Sequence, residues 1–270
     1  MAEAGGVAAH GEGALRPARR VVLLGASNLA LGLPAVLAEA RTAWGAPLDV
    51  VAALGHGRSY GMRSRVLGRS LCGILTCGLW EALARRWPAD TAALVTDVGN
   101  DLLYGAGPEQ TAAGVEECVS RVRAVSAALV VTELPLASLG RLGGWRFVLL
   151  RTLFFPACRL SYEEGMQRAR RLNQLVQEIA QRHGAHLVAP RAPWYGWDPI
   201  HIRRSARRAA WREICACWGC ERRRAAIGLS AGDRWALCGL RPEQRRLFGI
   251  EQRRAQPAGM LRDGTLISLY

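Results

Sequence analysis

Hydrophobic and polar residues follow two different patterns along the chain. Short and nearly continuous apolar runs predict buried β-strands at residues 21–24, 48–53, 92–96, 127–132 and 186–189. Between them, apolar residues recur with helical spacing, which predicts helices near residues 30–43, 62–86, 109–125 and 162–182. This alternation of strands and helices is typical of a parallel β-sheet that helices cover on both faces.

Three regions do not follow this alternation. Residues 1–18 are rich in Ala, Gly and Glu and lack periodicity, so we expect a disordered tail. Residues 138–160, after the fourth strand, form an insertion with an apolar segment at 145–156. Residues 219–270 follow as an Arg-rich C-terminal extension, whose last apolar residues suggest an extra strand. The main domain is therefore predicted at residues 19–218.

The positive charge of the chain does not by itself predict a nucleic-acid partner. The formal net charge is +14, a balance that suits binding to nucleic acid or to an anionic surface. However, the sequence contains no Lys, and all 36 basic residues are Arg. The complete absence of Lys indicates genomic codon bias more than selection for a phosphate-binding face. We therefore do not expect nucleic acid as the partner.

The cysteine pattern predicts neither a disulfide framework nor a metal site. Eight cysteines are spread over 270 residues without the short loops of disulfide-rich domains, so we interpret them as reduced thiols. Cys215, Cys217, Cys220 and Cys238 offer four zinc ligands. The helix predicted at residues 203–218 places side chains two positions apart on different faces, which disfavours the zinc site. We expect no cofactor and no metal.

The region that follows Arg20 imitates a secretory signal peptide, because an apolar run there ends in small residues. Ser27, Gly32 and Pro34 interrupt this run, which fits a strand, a loop and a helix better. We therefore expect a cytoplasmic protein. No other stretch reaches the roughly 18 uninterrupted apolar residues that a membrane span requires.

Polar residues and glycines directly follow several of the predicted strands. Ser27 follows the first strand, Gly57 the second, Asn100 the third, and Asp198 with His201 the fifth. Each of them alone has an ordinary explanation, such as a helix N-cap, a turn or a loop hydrogen bond. However, functional groups in parallel sheets gather at the carboxyl ends of the strands. We therefore predict that these residues share one site.

In this order the segments resemble the four sequence blocks of the SGNH (GDSL-type) hydrolases, from about residue 21 to about residue 217. The matching segments are Leu-Gly-Ala-Ser27-Asn, Leu-Gly-His-Gly57-Arg, Asp-Val-Gly-Asn100-Asp and Trp-Asp198-Pro-Ile-His201. The resemblance implies an α/β fold, a three-layer αβα sandwich around a five-stranded parallel sheet of flavodoxin-like order.

The resemblance also implies the role of each residue. Ser27 is the nucleophile, Gly57 and Asn100 donate hydrogen bonds in the oxyanion hole, and Asp198 and His201 complete the catalytic triad. The expected activity is that of a serine esterase, which cleaves carboxylic esters or thioesters through an acyl-enzyme. The same site also permits acyl transfer to an alcohol other than water.

Two residues depart from the usual pattern of this family. Ala26 stands where an Asp usually precedes the nucleophile, and Val98 stands where a Gly usually lies two residues before the Asn. Neither residue belongs to the triad or to the oxyanion hole. Asp97 and Asp101, on either side of the Asn100 segment, are expected to fix that loop.

Other interpretations of the sequence remain open. The segment Gly57-Arg-Ser59-Tyr-Gly61 matches the nucleophile elbow of α/β-hydrolases, with Ser59 as nucleophile. The glycines from Gly55 to Gly61 loosely resemble a dinucleotide-binding loop. A further alternative is a catalytically silent protein that binds RNA or an acidic partner through its Arg-rich surface.

The apolar segment at residues 145–156 has two interpretations. It fits a buried helix, and it also fits a hydrophobic lid that binds an acyl chain or makes peripheral contact with a membrane. We favour the acyl-binding lid. The expected partner is then a small-molecule or lipid acyl ester.

Overall fold

The computed structural model describes residues 16–219 and 228–270, which contain the following elements. The β-strands are β1 (Arg19–Leu24), β2 (Leu48–Ala53), β3 (Ser64–Val66), β4 (Arg69–Leu71), β5 (Asp90–Val95), β6 (Ala128–Thr132), β7 (His186–Val188), β8 (Gln244–Leu247), β9 (Ile250–Arg253), β10 (Gly259–Met260) and β11 (Leu266–Leu269). The α-helices are α1 (Ser27–Trp44), α2 (Leu79–Ala84), α3 (Asn100–Leu103), α4 (Pro108–Arg123), α5 (Leu136–Leu139), α6 (Gly144–Phe154), α7 (Tyr162–Arg182), α8 (Arg207–Ala216) and α9 (Ala231–Cys238). Short 3₁₀ helices span Ile74–Thr76 and Ala192–Trp194.

The central sheet contains all five predicted strands, each within two residues of its expected bounds. Its strand order is β10-β11-β2-β1-β5-β6-β7. The pairs from β11 to β7 are parallel, and only β10 runs antiparallel to its neighbour. Counted among the five predicted strands alone, the order is 2-1-3-4-5, the flavodoxin-like order that the family resemblance implies.

The sheet has seven strands, two more than the family resemblance implies, and one of them, β11, is the extra strand that the last apolar residues suggest. The two additional strands, β10 and β11, belong to the segment 219–270 that the sequence analysis describes as an extension. β11 pairs with β2 in parallel, and its Ile267 is fully buried. The pairing covers the hydrogen-bonding edge of β2, which would otherwise be open to solvent. Residues 220–227, within the same segment, lie outside the described residues.

Helices cover both faces of the sheet, so the three-layer architecture is confirmed. On one face, α1 and α8 form a core with one side of the sheet, in which Leu37 and Trp211 are buried. On the other face, α4 and α7 enclose a second core that includes Val115 and Leu172. The helices α1 and α8 approach closely at Gly32, where an added Cβ would lie 2.0 Å from Nε1 of Trp211.

The prediction of a helix at residues 62–86 is wrong for most of this segment. A second, four-stranded sheet of order β3-β4-β8-β9 begins there, and only α2 is an α-helix. The chain reverses between β3 and β4 at Leu67 and Gly68, which both have positive φ angles (47° and 75°). Such a turn joins antiparallel strands and is incompatible with a continuous helix.

The N-terminal segment that imitates a signal peptide forms β1 and α1, at the centre of the fold. Residues 1–15 of the predicted tail lie outside the described residues. The insertion at 138–160 contains α6. Among the helices that the structure describes, none has both the length and the apolar character needed to cross a membrane.

The close packing at Gly32 makes a testable prediction. Gly32→Ala should lower the free energy of unfolding by about 1–3 kcal/mol, because its Cβ would overlap the Trp211 ring. Gly114→Ala is the matched control, since this helical glycine has only an ordinary contact at 3.8 Å, and it should stabilise the protein by up to about 1 kcal/mol. Urea denaturation of both variants checks this, and equal stabilisation would contradict the packing.

Candidate active site

Three of the predicted site residues form a continuous line of hydrogen-bonding contacts. Ser27 is the first residue of α1, directly after β1, and its Oγ lies 2.9 Å from Nε2 of His201. Nδ1 of the same imidazole lies 2.6 Å from Oδ2 of Asp198. With the proton on Nδ1 donated to the carboxylate, Nε2 is free to accept the hydroxyl proton of Ser27. This is the arrangement that activates a serine nucleophile.

The loop that carries Asp198 and His201 is held by its own backbone. The other carboxylate oxygen of Asp198 accepts hydrogen bonds from the N–H groups of Ile200 (3.0 Å) and His201 (3.2 Å). At the base of the loop, Tyr195 and Ile202 form an isolated β-bridge. The Asp-x-x-His spacing therefore fits one tight turn that orients the carboxylate toward the imidazole.

Asp97 stabilises the turn that carries Ser27, a role that the sequence analysis missed. Its Oδ2 accepts hydrogen bonds from the N–H groups of Ala26 (3.0 Å), Asn28 (3.0 Å) and Leu29 (3.2 Å). A carboxylate is favourable at this position because the first N–H groups of a helix have no partner within the helix. The sequence analysis expects Asp97 to fix its own loop, the one that carries Asn100, and does not indicate its contacts with the turn around Ser27.

Asn28 connects the turn around Ser27 to the loop that carries Asp198 and His201. Its Nδ2 donates to Oδ1 of Asp97 and to the carbonyl oxygen of Ile200, both at 2.8 Å. Its Oδ1 accepts a hydrogen bond from the N–H of Ile202 at 2.8 Å. One amide side chain therefore holds both sides of the Ser27–His201 contact. Its position next to Ser27 was the only sequence signal for this role.

The two departures from the family pattern lie in the protein interior. Ala26 is fully buried, and its N–H donates to Asp97, so the carboxylate beside the nucleophile comes from a neighbouring strand end. Val98 is also buried, belongs to the core on the α4 and α7 side of the sheet, and lines the cavity described below. Neither side chain lies between Ser27 and His201.

Gly57 and Asn100 line the same cavity as Ser27 and His201. Gly57 has a φ of +63°, and an added Cβ would lie 2.4 Å from Cγ2 of Val66, so the position favours glycine on both counts. Asn100 donates one hydrogen bond from Nδ2 to the carbonyl oxygen of Arg58 at 3.0 Å. An amide nitrogen has two protons, so the second remains for a ligand.

The alternative nucleophile Ser59 has a structural role. It is fully buried, and its Oγ donates to Oδ1 of Asp101 at 2.6 Å. The same carboxylate accepts hydrogen bonds from the N–H groups of Tyr60 and Gly61 at 2.9 Å. A nucleophile elbow requires an exposed hydroxyl beside a histidine. The α/β-hydrolase interpretation of this segment is therefore wrong.

The charges of the site act on the imidazole in opposite directions. Burial lowers the pKa of His201, but the hydrogen bond and the negative charge of Asp198, with a smaller effect of Asp97, raise that pKa above its ordinary 6.5. For Asp198, burial raises the pKa, while the bond to His201 and two backbone N–H groups lowers it below its ordinary value. The pair therefore favours a carboxylate beside an imidazole of increased basicity.

The cavity above Ser27 has a volume of about 270 Å³ and a mainly apolar lining. The apolar side chains of this lining include Leu134, Leu139, Leu142, Phe147, Phe155 and Met166. Phe147 and Phe155 lie in and directly after α6, so the insertion covers one side of the cavity. Burial raises the pKa of Tyr104 to about 12, and this ring contacts Phe155 edge-to-face at 5.1 Å between centroids.

The helix α6 also contacts the loop that carries Asp198 and His201. The guanidinium of Arg146 lies over the ring of Trp197, 4.8 Å from its centroid, and donates a hydrogen bond to the Trp197 carbonyl oxygen. Trp197 directly precedes Asp198. Another residue of α6, Phe147, contacts the ring of Tyr162, with 5.8 Å between the two ring centroids. The insertion is therefore attached both to α7 and to the loop of the candidate triad.

Within the described ranges, no group of three or more His, Cys, Asp or Glu side chains is placed to hold a metal ion. Cys215 is buried on α8, where burial raises the pKa of its thiol. Cys220, one of the four cysteines considered as zinc ligands, lies outside the described residues.

Solved structures with the same architecture include the inhibitor-bound aryl esterase of M. smegmatis, with a TM-score of 0.51 and 16% identity. The alignment covers 73% of this chain and 97% of that one. The fold is that of the SGNH hydrolases.

A second structure of this SGNH fold is Est24, a carbohydrate acetylesterase from Sinorhizobium meliloti. It has a TM-score of 0.50 and 15% identity, and the alignment covers 73% of this chain and 97% of that one. No protein-family model and no curated protein sequence matches the chain. At this level of identity, the similarity concerns the fold.

The electrostatics of the site can be tested by titration. Asp198→Asn should lower the pKa of His201, because the variant removes a negative charge and leaves the imidazole buried. NMR titration of the His201 ring protons measures this, with the unchanged backbone spectrum of distant residues as the control for folding. An equal or higher pKa in the variant would contradict the Asp198–His201 contact.

Proposed function

We propose that this protein is a serine esterase that hydrolyses carboxylic acyl esters through an acyl-enzyme on Ser27. The observation that carries the proposal is the line from Ser27 through His201 to Asp198, which begins at the floor of an apolar cavity. The structures of similar fold include esterases, which agrees with this chemistry.

The first half of the reaction transfers the acyl group to the enzyme. Ser27 Oγ attacks the ester carbonyl carbon while Nε2 of His201 takes the hydroxyl proton. The tetrahedral intermediate then expels the alcohol, which receives the proton from His201. Asp198 stabilises the imidazolium that exists between these two steps. In the second half, a water molecule repeats the sequence on the acyl-enzyme and restores the serine.

Three donors are positioned to stabilise the oxyanion of the intermediate. They are the N–H groups of Ser27 and Gly57 and the side-chain amide of Asn100. Asp97 binds the N–H groups on either side of Ser27, but in the part of the chain that the structure describes the Ser27 N–H itself donates to no protein acceptor. This leaves it for the substrate. A single donor of this kind typically contributes about 3–4 kcal/mol to transition-state stabilisation.

The cavity favours an apolar acyl group. Although Glu133 and Arg151 also line the cavity, most of its lining surface is apolar, so a carbohydrate or a charged acid would lose hydration over most of its own surface. A hydrocarbon chain gains about 0.8 kcal/mol for each methylene that it buries. The acyl chain would therefore lie under α6, between Phe147 and Leu139.

A fluorophosphonate probe, which labels activated serines, tests the nucleophile. Wild type and Ser59→Ala should be labelled, and Ser27→Ala should not, because Ser27 contacts an imidazole whereas Ser59 donates to a carboxylate. Circular dichroism confirms that each variant is folded. Labelling that depends on Ser59, or no labelling of folded wild type, would contradict the proposal. The second result, with salt-sensitive RNA binding, would favour the silent binding protein.

The acyl preference is tested with p-nitrophenyl esters of increasing chain length. From acetate to octanoate, kcat/KM should rise by about four-fold per methylene until the cavity is filled, which is 0.8 kcal/mol per step. Phe147→Ser should reduce the octanoate-to-acetate ratio of kcat/KM, because it removes an apolar wall. Trp145→Ser, an outward-facing residue of the same helix, should leave the ratio unchanged. A flat chain-length profile in wild type would overturn the acyl assignment.

A further inference from the structure

The helix α6 presents apolar side chains on two sides. Phe147 lines the cavity, whereas Trp145, Leu149 and Leu153 lie along the opposite stripe of the helix at intervals of four residues. Their exposed fractions are 70%, 52% and 63%. A helix at the surface of a soluble protein normally has a polar outer face. The outer stripe of α6 therefore suits contact with something outside the chain.

The second sheet carries a similar feature at its turns. Leu67 and Phe248 occupy the turns between β3 and β4 and between β8 and β9, with exposed fractions of 80% and 78%. Both have positive φ angles, 47° and 46°, which L side chains rarely adopt and which Asn or Gly would accept more readily. A large apolar residue in this conformation adds backbone strain and buries little apolar surface, so Leu67 and Phe248 do not stabilise the folded state.

These two features lie on either side of the active-site entrance. On one side, Val66 and Leu67 line the cavity next to Gly57, and the N–H of Phe248 donates to the Gly68 carbonyl oxygen at 2.8 Å. On the other side, α6 lines the cavity with Phe147. We define the apolar rim as Trp145, Leu149, Leu153, Leu67, Phe248 and Ile250.

The charges around the rim are positive and not neutralised. Residues 141–159 contain four Arg and no Asp or Glu. Three of them, Arg141, Arg146 and Arg151, donate to backbone carbonyl oxygens, and in the described part of the chain none of the three forms an ion pair. The hairpin side adds Arg65 and Arg246, both exposed, of which Arg246 stands opposite Glu251 in the β8–β9 pair. Apolar side chains interleaved with unpaired cations complement a surface that is anionic above and apolar below.

We propose that the apolar rim docks the enzyme on an anionic lipid bilayer, so that the cavity receives the acyl chain of a lipid ester from the membrane. Trp145, Leu149 and Phe248 enter the boundary between head groups and acyl chains, and the arginines bind the anionic head groups. This inference rests on the proposed esterase function, because it names the source of the substrate for the same Ser27.

Docking predicts vesicle binding that depends on the rim and not on catalysis. Wild type and Ser27→Ala should sediment with vesicles of phosphatidylcholine and phosphatidylglycerol in equal parts. Binding should be weaker to phosphatidylcholine alone and at high salt, because the arginines contribute through charge. The triple variant Trp145→Ser/Leu149→Ser/Leu153→Ser should reduce the partition coefficient by at least about ten-fold.

A single substitution separates docking from folding. Phe248→Asn places a residue that tolerates positive φ in the turn, so Tm should stay equal or rise while vesicle binding falls. Trp235→Ser is the control, since Trp235 is 83% exposed on α9 and outside the rim. The triple variant of α6 and Phe248→Asn should both retain the kcat/KM of wild type on p-nitrophenyl butyrate, a soluble ester.

Three results would overturn the docking proposal. They are a folded wild type that does not bind anionic vesicles, an equal loss of binding in Trp235→Ser, and a dimer in light scattering that the rim variants convert to monomer. The last result would assign the rim to a second copy of the chain. Failure of the esterase proposal is distinguishable, because it would show as vesicle binding without hydrolysis of any soluble ester.

Discussion

The site depends on one carboxylate at the start of a helix. Asp97 accepts three backbone N–H groups of the turn around Ser27 and the side-chain amide of Asn28. Through Asn28, the same carboxylate also holds the backbone of Ile200, next to His201. The loops that follow β1, β5 and β7 are far apart in sequence, and they meet here because the hydrogen bonds of Asp97 and Asn28 require all three of them. Without this network, the 2.9 Å contact between Ser27 Oγ and His201 Nε2 would depend on two independent loops.

Much of the fold and of the site could be predicted from the sequence. The central strands are apolar runs with clear ends, and Ser27 lies three residues after the end of β1. His201 lies in the longer loop that follows β7, beyond a short 3₁₀ helix. The role of Asp97 could not be predicted, because the N–H groups that donate to its carboxylate come from another strand end, and its own φ of +59° is rare for a non-glycine residue. Local pattern indicates where a strand ends but not which distant N–H groups a carboxylate reaches.

The C-terminal segment shows the same limit on a larger scale. β11 is only four residues long, and its pairing with β2 joins distant parts of the chain. Its contribution extends to the site: the buried guanidinium of Arg58 donates to the carbonyl oxygen of Tyr270, and the Arg58 carbonyl oxygen accepts the amide of Asn100. Tyr270, which directly follows β11, therefore supports one wall of the proposed oxyanion hole through Arg58, and no feature of the sequence near residue 270 indicates this role.

The apolar cavity and the apolar rim have different consequences for substrate choice. For an ester dissolved in water, each methylene that enters the cavity contributes about 0.8 kcal/mol, so the cavity alone selects longer acyl chains. For an ester in a bilayer, the chain is already surrounded by hydrocarbon, and its transfer into the cavity gains little. Selection among bilayer lipids then depends on presentation at the entrance, where Leu67 and the arginines of α6 lie. Phe248, a large apolar residue at positive φ, donates its N–H to Gly68, in the same turn as the cavity-lining Leu67, and the proposed surface contact would account for such a residue where folding does not.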